Sequence, residues 1–139
     1  EYYEAVAVKR VMGFLDSGLA ERMKLAGERG QLYREQPFVY AIDARKLNPQ
    51  FPEEEKVLIQ GIVDVFFIEE GELVLADYKT DVIQSEEQLM ERYQVQLDYY
   101  AQALKKMWHM PVREQILYST CLGCEIRRKN QRDMRNGNE

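Results

Sequence analysis

The 139-residue chain is poor in cysteine and proline, with two and four of these residues, and it contains a single histidine. Two cysteines cannot build a disulfide scaffold, which favours a reducing compartment and a cytoplasmic protein. No run of about 18 apolar residues occurs, so the sequence predicts no membrane-spanning helix. The first residues, Glu1 to Glu4, have neither the basic nor the apolar region of a secretory signal, and the missing initial methionine suggests a piece of a longer protein.

Acidic residues outnumber basic ones, with 24 Asp and Glu against 19 Lys and Arg and a formal net charge of −5. This balance argues weakly against an autonomous nucleic-acid-binding domain, which usually has a strongly basic face. The argument is weak because a site that holds cations through carboxylates is itself acidic. The last basic cluster, from Arg127 to Arg135, is expected to be a solvated tail.

Hydrophobic residues make up 45% of the chain, which at this length predicts one compact domain with one core. Helical spacing of apolar residues predicts a helix over residues 3–16, a second over 19–26 and a long third over 86–108. β-Branched and aromatic residues predict short strands over 38–42 and 115–119. Two longer apolar runs lie between these short strands.

The two longer runs, residues 57–68 and 73–79, are joined by Glu69-Glu70-Gly71-Glu72, which predicts a β-hairpin. A two-residue and a four-residue loop both fit, and both give the same register, in which Asp64 faces Asp77. One face then carries Ile62, Asp64, Phe66, Leu75, Asp77 and Lys79, and the other carries Val63, Val65, Phe67, Val74, Ala76 and Tyr78. Because both faces are apolar, helices should cover both, which indicates an α/β layered domain.

The hairpin places two aspartates opposite each other among hydrophobic residues, where like charges destabilise a sheet. A divalent cation would offset that cost, since Mg²⁺ prefers carboxylates, waters and phosphate oxygens as ligands. Lys79 lies two residues beyond Asp77, on the same face, where an ammonium could reach a phosphate oxygen or an attacking water. The alternative is a plain ion pair of Asp77 with Lys79 and a solvent-facing Asp64.

Three short motifs occur in a fixed order: Gly61-Ile62-Val63-Asp64, then Asp77-Tyr78-Lys79-Thr80, then Gln96 with Tyr100. They resemble the RecB-type nuclease signature G-x-x-D, D-Y-K-[ST] and Q-x-x-x-Y of the PD-(D/E)XK superfamily. The surrounding stretches 34–38, 93–96 and 100–104 are similar to the C-terminal nuclease domain of the AddA family of bacterial helicase/nuclease proteins. The resemblance runs from roughly residue 10 to 119.

The resemblance implies a restriction-endonuclease-like fold, with a mixed sheet flanked by helices on both faces. It implies a nuclease domain over residues 1–120 and a polar basic tail over 121–139. Asp64, Asp77 and the backbone carbonyl of Tyr78 would hold the catalytic Mg²⁺, for which Mn²⁺ or Ca²⁺ could substitute.

Four further residues match family positions. Lys79 would be the catalytic lysine, while Gln96 and Tyr100, at i and i+4 of one helix, would contact DNA or groups that support the site. Glu35 would likewise contact DNA or groups that support the site. Ordinary helix packing is the alternative for Gln96 and Tyr100, and a surface glutamate is the alternative for Glu35.

By the same resemblance, the domain would be a Mg²⁺-dependent DNA exonuclease that acts during ATP-dependent processing of double-strand breaks for recombinational repair. Its partners would be single-stranded DNA, delivered by helicase domains, and an AddB-like subunit. No Walker A sequence occurs, so the chain itself is not expected to hydrolyse ATP. The alternative function is a catalytically silent domain that binds DNA or docks another protein of the complex.

Two features depart from the family pattern. RecB-type nucleases carry a metal-ligating histidine upstream of these motifs, whereas the single histidine here, His109, follows them, so activity of this piece alone is in doubt. Cys121 and Cys124 form a C-x₂-C pair, which is half of a four-ligand zinc site and too few for a four-cysteine cluster. Two free thiols are expected, and a metal clasp shared between two chains is the alternative.

Overall fold

The computed structural model describes residues 2–129, and the side chains of residues 4–128. In chain order the elements are α1 (Tyr2–Leu15), α2 (Gly18–Glu28), β1 (Leu32–Asp43), a 3₁₀ turn (Ala44–Lys46), β2 (Lys56–Glu69), β3 (Glu72–Lys79), α3 (Glu86–Trp108), β4 (Val112–Ser119) and β5 (Cys124–Lys129). The five strands form one sheet in the order β1-β2-β3-β4-β5. Strands β3 and β4 are parallel and the other neighbours are antiparallel, so the sheet is mixed.

Helices cover both faces of this sheet. The face of α2 buries Leu19, Met23 and Ala26 against Val65, Phe67, Val74, Ala76, Ile116 and Tyr118. The opposite face, under α3, buries Leu89, Leu97 and Leu104 against Phe38, Phe66, Leu75 and Leu117. Helix α3 is also the crossover that the parallel pair β3–β4 requires. The α/β fold with helices on both faces of a mixed sheet is therefore confirmed.

Helix α3 spans the range that its apolar spacing predicts. Its N-cap, Ser85, accepts a hydrogen bond from the backbone amide of Gln88, and two glutamates stand in the first turn, where the helix dipole favours them. At the other end, His109 takes the left-handed conformation with φ 53° and its amide bonds to the carbonyl of Lys105. Local chemistry thus fixes both ends of the helix that faces the candidate site.

The β2–β3 hairpin has the predicted register. Phe66 pairs with Leu75 and Ile68 with Leu73, and the pairing runs to Glu69 with Glu72. The loop therefore contains two residues, Glu70 and Gly71, and both have positive φ values, 51° and 77°. Such a turn matches the right-handed twist of the two strands.

The predicted division of β2 between the two faces is wrong at Val63 and Ile62. Val63 lies in the α3-side core together with Phe66, three residues away, and Ile62 is exposed. Strict alternation would place residues three apart on opposite faces. At the level of Glu35 and Asp64, the side chains of both β1 and β2 switch to the other face of the sheet. Glu35 has a positive φ of 48° there, and the pairing register of the two strands is the same on both sides of this point.

Part of the predicted tail belongs to the sheet. Residues 124–129 form the edge strand β5, which pairs antiparallel with β4 from Ser119–Cys124 to Glu114–Lys129. Charged residues on an edge strand give little apolar signal and discourage further strand pairing, which explains why the sequence looks like a tail. The remainder of the predicted tail, 130–139, lies outside the described residues. Among residues 2–129, none of the helices combines the length and the hydropathy that a membrane crossing needs.

Candidate active site

Asp64 and Asp77 stand where β2 and β3 separate. The last paired residues are Val65 and Ala76; Asp64 directly precedes Val65, and Asp77 directly follows Ala76. The backbone amide of Tyr78 donates a hydrogen bond to Asp64 Oδ2 over 3.1 Å. The two carboxyl groups are neighbours, close enough for Asp64 to raise the pKa of Asp77, with Asp77 buried and Asp64 half-buried. The structure thus brings together the two aspartates that the register predicts.

Burial makes the Asp77 carboxyl hard to ionise. Desolvation, followed by hydrogen bonding with the Asp64 carboxyl, raises the pKa of Asp77 to about 7, against the lowering effect of Lys79. One of its oxygens, Oδ2, is fully buried and accepts no hydrogen bond within the described chain. A buried carboxylate oxygen without a hydrogen bond is costly and needs a positive partner.

The ammonium of Lys79 approaches that same oxygen. Lys79 Nζ lies 2.8 Å from Asp77 Oδ2 in an ion pair that lacks hydrogen-bond geometry, and both side chains are nearly enclosed. Nζ also donates a hydrogen bond to Gln96 Oε1 over 3.1 Å. The structure contains the Asp77–Lys79 ion pair that the alternative interpretation expects, but Asp64 does not point away to solvent as that interpretation requires.

Gln96 and Tyr100 face the site from α3. The amide nitrogen of Gln96 donates to the Tyr100 hydroxyl over 3.0 Å, so a chain of contacts runs from Lys79 through Gln96 to Tyr100. Burial, and then the negative charges of Asp77 and Asp64, raise the pKa of Tyr100, which keeps its hydroxyl protonated. The Tyr100 ring also packs edge-on against Phe38, at 5.1 Å between centroids. The predicted orientation and the packing alternative therefore both describe Tyr100.

The carbonyl of Tyr78 faces the side of β3 on which Asp64 lies. The amide of Thr120, beyond β4, donates to the carbonyl of Lys79 over 3.0 Å, so that carbonyl faces β4. Because successive carbonyls of a strand point to opposite sides, the preceding one, of Tyr78, points toward β2. The Tyr78 side chain lies on the opposite face of the sheet, against Phe14 and Met23.

Glu35 lies beside the site in the register of β1 and β2. Its neighbours Arg34 and Gln36 pair with Val65 and Val63, which places Glu35 at the level of Asp64. Glu35 is exposed. Its left-handed backbone carries the change of faces in β1, a role that neither sequence-based interpretation of this residue includes.

Close packing explains why Gly61, the glycine of the G-x-x-D motif, has no side chain. A Cβ at this position would lie 2.7 Å and 2.9 Å from two ring atoms of Phe38 and 3.6 Å from Tyr100. Both rings belong to the packing that supports α3 opposite the aspartates. Glycine therefore lets Phe38 and Tyr100 lie directly on β2.

Tyr93 and Asp81 also adjoin the site, and neither was predicted from the sequence as a site residue. The Lys79 ammonium lies 3.8 Å from the centroid of the Tyr93 ring. The Tyr93 hydroxyl donates to both carboxylate oxygens of Asp81, at 2.8 and 3.0 Å. A signal was available for Tyr93, because it precedes Gln96 by three residues and Tyr100 by seven, on one helical face. Asp81 sits in the loop before α3 and gave none.

The described residues fit a divalent cation of the magnesium type. Asp77 Oδ2 is buried without a hydrogen bond, the second carboxylate adjoins it, and a backbone carbonyl faces the same side. An all-oxygen set of one or two carboxylates, with waters, is what Mg²⁺ takes in proteins. Within residues 2–129 no three His, Cys, Asp or Glu side chains are grouped for metal binding, so the protein would supply few ligands.

His109 and the two cysteines lie apart from this arrangement. His109 follows Gln96 by 13 positions, which is about 20 Å along α3. Cys121 donates to the carbonyl of Ile83 over 3.7 Å, and Cys124 donates to Glu86 over 3.4 Å; both thiols are free. Burial, and then the Glu86 carboxylate, raise the pKa of Cys124, which disfavours the thiolate that metal binding needs.

The chain matches the model of the PD-(D/E)XK nuclease superfamily over residues 4–135. Similar proteins include the A subunit of the ATP-dependent helicase/nuclease of Lachnoclostridium phytofermentans, at 36% identity over 94% of this chain and 12% of the relative. The proteins of the same name from Clostridium kluyveri and Listeria welshimeri are 40% and 39% identical over 83% of this chain, and over 9% and 10% of their own lengths. The chain thus spans about a tenth of the length of these relatives. The resemblance in the three motifs is confirmed across nearly the whole sequence, and the chain belongs to the PD-(D/E)XK nuclease superfamily.

Proposed function

We propose that this domain hydrolyses DNA phosphodiester bonds with the help of Mg²⁺, which Mn²⁺ or Ca²⁺ could replace in binding. The observation that carries the proposal is the buried, unbonded Asp77 Oδ2, which adjoins a second carboxyl group and lies 2.8 Å from the Lys79 ammonium. A buried carboxylate oxygen without a hydrogen bond would bind a cation, and an ammonium beside it would bind an anionic substrate. Superfamily membership supports the same reaction class.

In this proposal Asp64, Asp77 and the Tyr78 carbonyl hold the metal. Bound there, a divalent ion would supply a Lewis acid that activates water and neutralises charge on the phosphate. The hydrogen bond from the Tyr78 amide keeps Asp64 turned toward β3, so that Asp64 and Asp77 would both be available to hold the ion. The buried position of Asp77 excludes water and strengthens its attraction for a cation.

Lys79 is the catalytic residue that meets the substrate. Its ammonium would donate hydrogen bonds to the scissile phosphate or to the attacking water, and it stabilises the negative charge that develops on the phosphate oxygens. Gln96 orients Lys79 through the 3.1 Å hydrogen bond, and Tyr100 holds Gln96 from the next helical turn. Glu35, which is exposed at the level of Asp64, would contact DNA or groups that support the site.

The biological setting is inferred from relatives whose name describes the A subunit of an ATP-dependent helicase/nuclease. We infer that the domain acts as an exonuclease on single-stranded DNA delivered by helicase domains, during double-strand-break processing for recombinational repair. An AddB-like subunit would be the partner, and the cytoplasm, where free thiols persist, would be the location.

The decisive experiment is a nuclease assay on the complete natural protein, beside the 139-residue domain, with single-stranded DNA and a titration of Mg²⁺. We expect cleavage that EDTA abolishes. Asp77→Ala and Lys79→Ala should each abolish it, because they remove the metal ligand and the substrate-facing cation. If the upstream histidine is required, the domain alone will be much less active than the complete protein.

A matched control comes from an exposed ion pair on β1 and β2. Lys56 Nζ lies 3.2 Å from Asp43 Oδ1, and both side chains are more than half exposed. Asp43→Ala and Lys56→Ala should cleave as the wild type does. DNA binding without any cleavage, under conditions in which the protein is folded and Mg²⁺ is bound, would instead support the silent docking domain.

A further inference from the structure

Tyr93 is anchored at its hydroxyl and presents its ring to Lys79. The hydroxyl donates to Asp81, whose carboxylate is also held by Arg92 at 2.7 Å. The hydrogen bond with Asp81 raises the pKa of Tyr93, so the phenol remains the donor. The ring stands 3.8 Å from Lys79 Nζ, well within the range of a cation–π contact. The loop before α3 thus sets the position of an aromatic face beside the catalytic ammonium.

An aromatic ring can fix the position of the flexible Lys79 side chain. A lysine side chain has four flexible carbons and loses rotamer freedom when it is held in one place. Its two polar partners, Asp77 and Gln96, are oxygen acceptors, and Asp77 is the residue proposed to hold the metal. The ring of Tyr93 attracts the ammonium without accepting its proton and without being a metal ligand. The carboxylate of Asp81 at the hydroxyl makes the ring richer in electrons and strengthens that attraction.

We propose that Tyr93 is a positioning residue that holds the Lys79 ammonium at the reacting phosphate through the face of its ring. The inference rests on the proposed nuclease function, which it deepens. The three-motif signature does not contain Tyr93, since that signature begins on α3 only at Gln96.

Two substitutions separate the ring from the hydroxyl. Tyr93→Phe keeps the ring, and kcat for Mg²⁺-dependent DNA cleavage should fall by no more than about threefold. Tyr93→Leu removes the ring, and kcat should fall roughly tenfold with KM for DNA nearly unchanged, as expected for the loss of one cation–π contact. Equal losses in the two variants would place the role in the hydroxyl and overturn the proposal, and so would wild-type kcat in Tyr93→Leu.

Tyr40 provides a matched control on the same side of α3. Its hydroxyl donates to Gln102 over 2.8 Å and Lys106 Nζ lies 5.8 Å from its ring centroid, so it too combines a bonded hydroxyl with a nearby lysine, away from the aspartates. Tyr40→Leu should leave kcat unchanged. A loss equal to that of Tyr93→Leu would show that both substitutions act through packing and would overturn the proposal.

A variant of unchanged shape covers the case in which Tyr93→Leu does not fold. Incorporation of 3,4,5-trifluorophenylalanine at position 93 keeps the ring but withdraws its electrons, so kcat should fall below that of Tyr93→Phe. A kcat equal to that of Tyr93→Phe in the fluorinated variant would overturn the proposal.

A spectroscopic measurement is independent of cleavage. In protein with ¹³C-labelled lysine, the Lys79 ε-methylene signal should be shifted upfield by the ring current, and the shift should vanish in Tyr93→Leu but persist in Tyr40→Leu. Absence of that shift in the wild type would overturn the positioning role. A shifted lysine in a protein that does not cut DNA would instead contradict only the nuclease proposal.

Discussion

The backbone amide of Tyr78 donates to Asp64 Oδ2 over 3.1 Å, so the main chain of β3 positions the carboxylate of β2. The Tyr78 ring takes no part in this contact, because it packs on the other face of the sheet, 5.1 Å from the Phe14 ring between centroids. The residue between Asp77 and Lys79 therefore serves the site through its peptide groups, while its partly exposed side chain packs on Phe14 and Met23 of the two N-terminal helices.

Tyr78→Leu should accordingly separate stability from catalysis. We expect the free energy of unfolding to fall by about 1–3 kcal/mol, because an aromatic contact and buried area are lost. The value of kcat should stay within about twofold of the wild type, because both backbone groups remain. Urea denaturation and steady-state cleavage measure the two effects, and a tenfold loss of kcat in the folded variant would refute the division.

The raised pKa of Asp77 predicts a stability that depends on pH in the metal-free protein. The folded state holds this proton more tightly, with a pKa of about 7 against an ordinary value of 3.8. Stability from this group is therefore fully present below about pH 4 and is lost as the pH rises through 7, by up to about 4 kcal/mol. Asp77→Asn should be the more stable protein at pH 8 in EDTA, with the advantage gone near pH 4.

Urea denaturation at pH 4, 6 and 8 tests this, in EDTA and in Mg²⁺. Mg²⁺ should stabilise the wild type at pH 8 and leave Asp77→Asn unchanged, since the ion binds only where the carboxylate is present. Parallel pH profiles for the two proteins in EDTA would show that Asp77 ionises freely in the folded chain.

Gly61→Ala should destabilise the domain by about 1–3 kcal/mol, since the added methyl would lie within 3 Å of the Phe38 ring. Phe38 contacts Tyr100, so the displaced ring should also disturb α3 and lower kcat. The double variant Gly61→Ala with Phe38→Leu makes room for the methyl and should recover stability relative to the sum of the single changes. Strict additivity of the two losses would rule out this steric explanation.

Gln96→Leu should lower kcat by roughly tenfold, because the Lys79 ammonium loses a charge-assisted hydrogen bond. Tyr100→Phe should have a smaller effect, because the ring stays on Phe38 and only the bond from Gln96 is lost. Gln102→Leu, on the same helix but bonded to Tyr40, is the matched control and should cleave normally. If Gln96→Leu is fully active, Gln96 serves packing alone.

At the far end of the sheet, Arg22 bridges Glu69 at 2.7 Å and also contacts Glu114. Hydrogen bonding to Glu69, and then to Glu114, raises the pKa of Arg22 against the effect of burial. Among the described residues, Arg22→Ala would leave the enclosed Glu114 carboxylate without a cation and Glu69 with Arg113 as its remaining basic partner on this face, and should cost about 3 kcal/mol in thermal or urea unfolding. Arg45→Ala breaks a well-exposed pair with Glu53 and should cost less than about 1 kcal/mol. Equal losses in the two variants would contradict the role of burial.

The parts of the fold that the sequence predicts correctly are those that local chemistry decides. The span of α3 follows from its apolar spacing and caps, and the β2–β3 register follows from the turn at Glu70 and Gly71. The position of Val63 could not be predicted from alternation along β2, because β1 and β2 change faces together at the level of Glu35 and Asp64, and the apolar pattern of β2 does not mark that point. Strand β5 was missed because an edge strand needs little hydrophobicity.

The candidate site divides in the same way. The grouping of Asp64, Asp77 and Lys79 follows from hairpin register. Helical spacing puts Gln96 and Tyr100 on one face of α3, and the family resemblance implies that this face looks toward the site. Tyr93 reads in the sequence as one more residue of the apolar stripe of α3. Its contact with Asp81, 12 positions earlier, depends on how the loop folds back on the helix, which no local pattern encodes.

The end of β2–β3 pairing beside Asp64 also sets where the chain can tolerate length variation. Beyond this level β1 and β2 pair with each other without β3, so the connecting segment 44–55 can gain or lose residues while the carboxylates keep their places. A single residue inserted between Asp64 and the hairpin turn would instead rotate that carboxylate to the α2 side of the sheet. Insertions and deletions should therefore be tolerated in segment 44–55 and not tolerated in the five residues that follow Asp64.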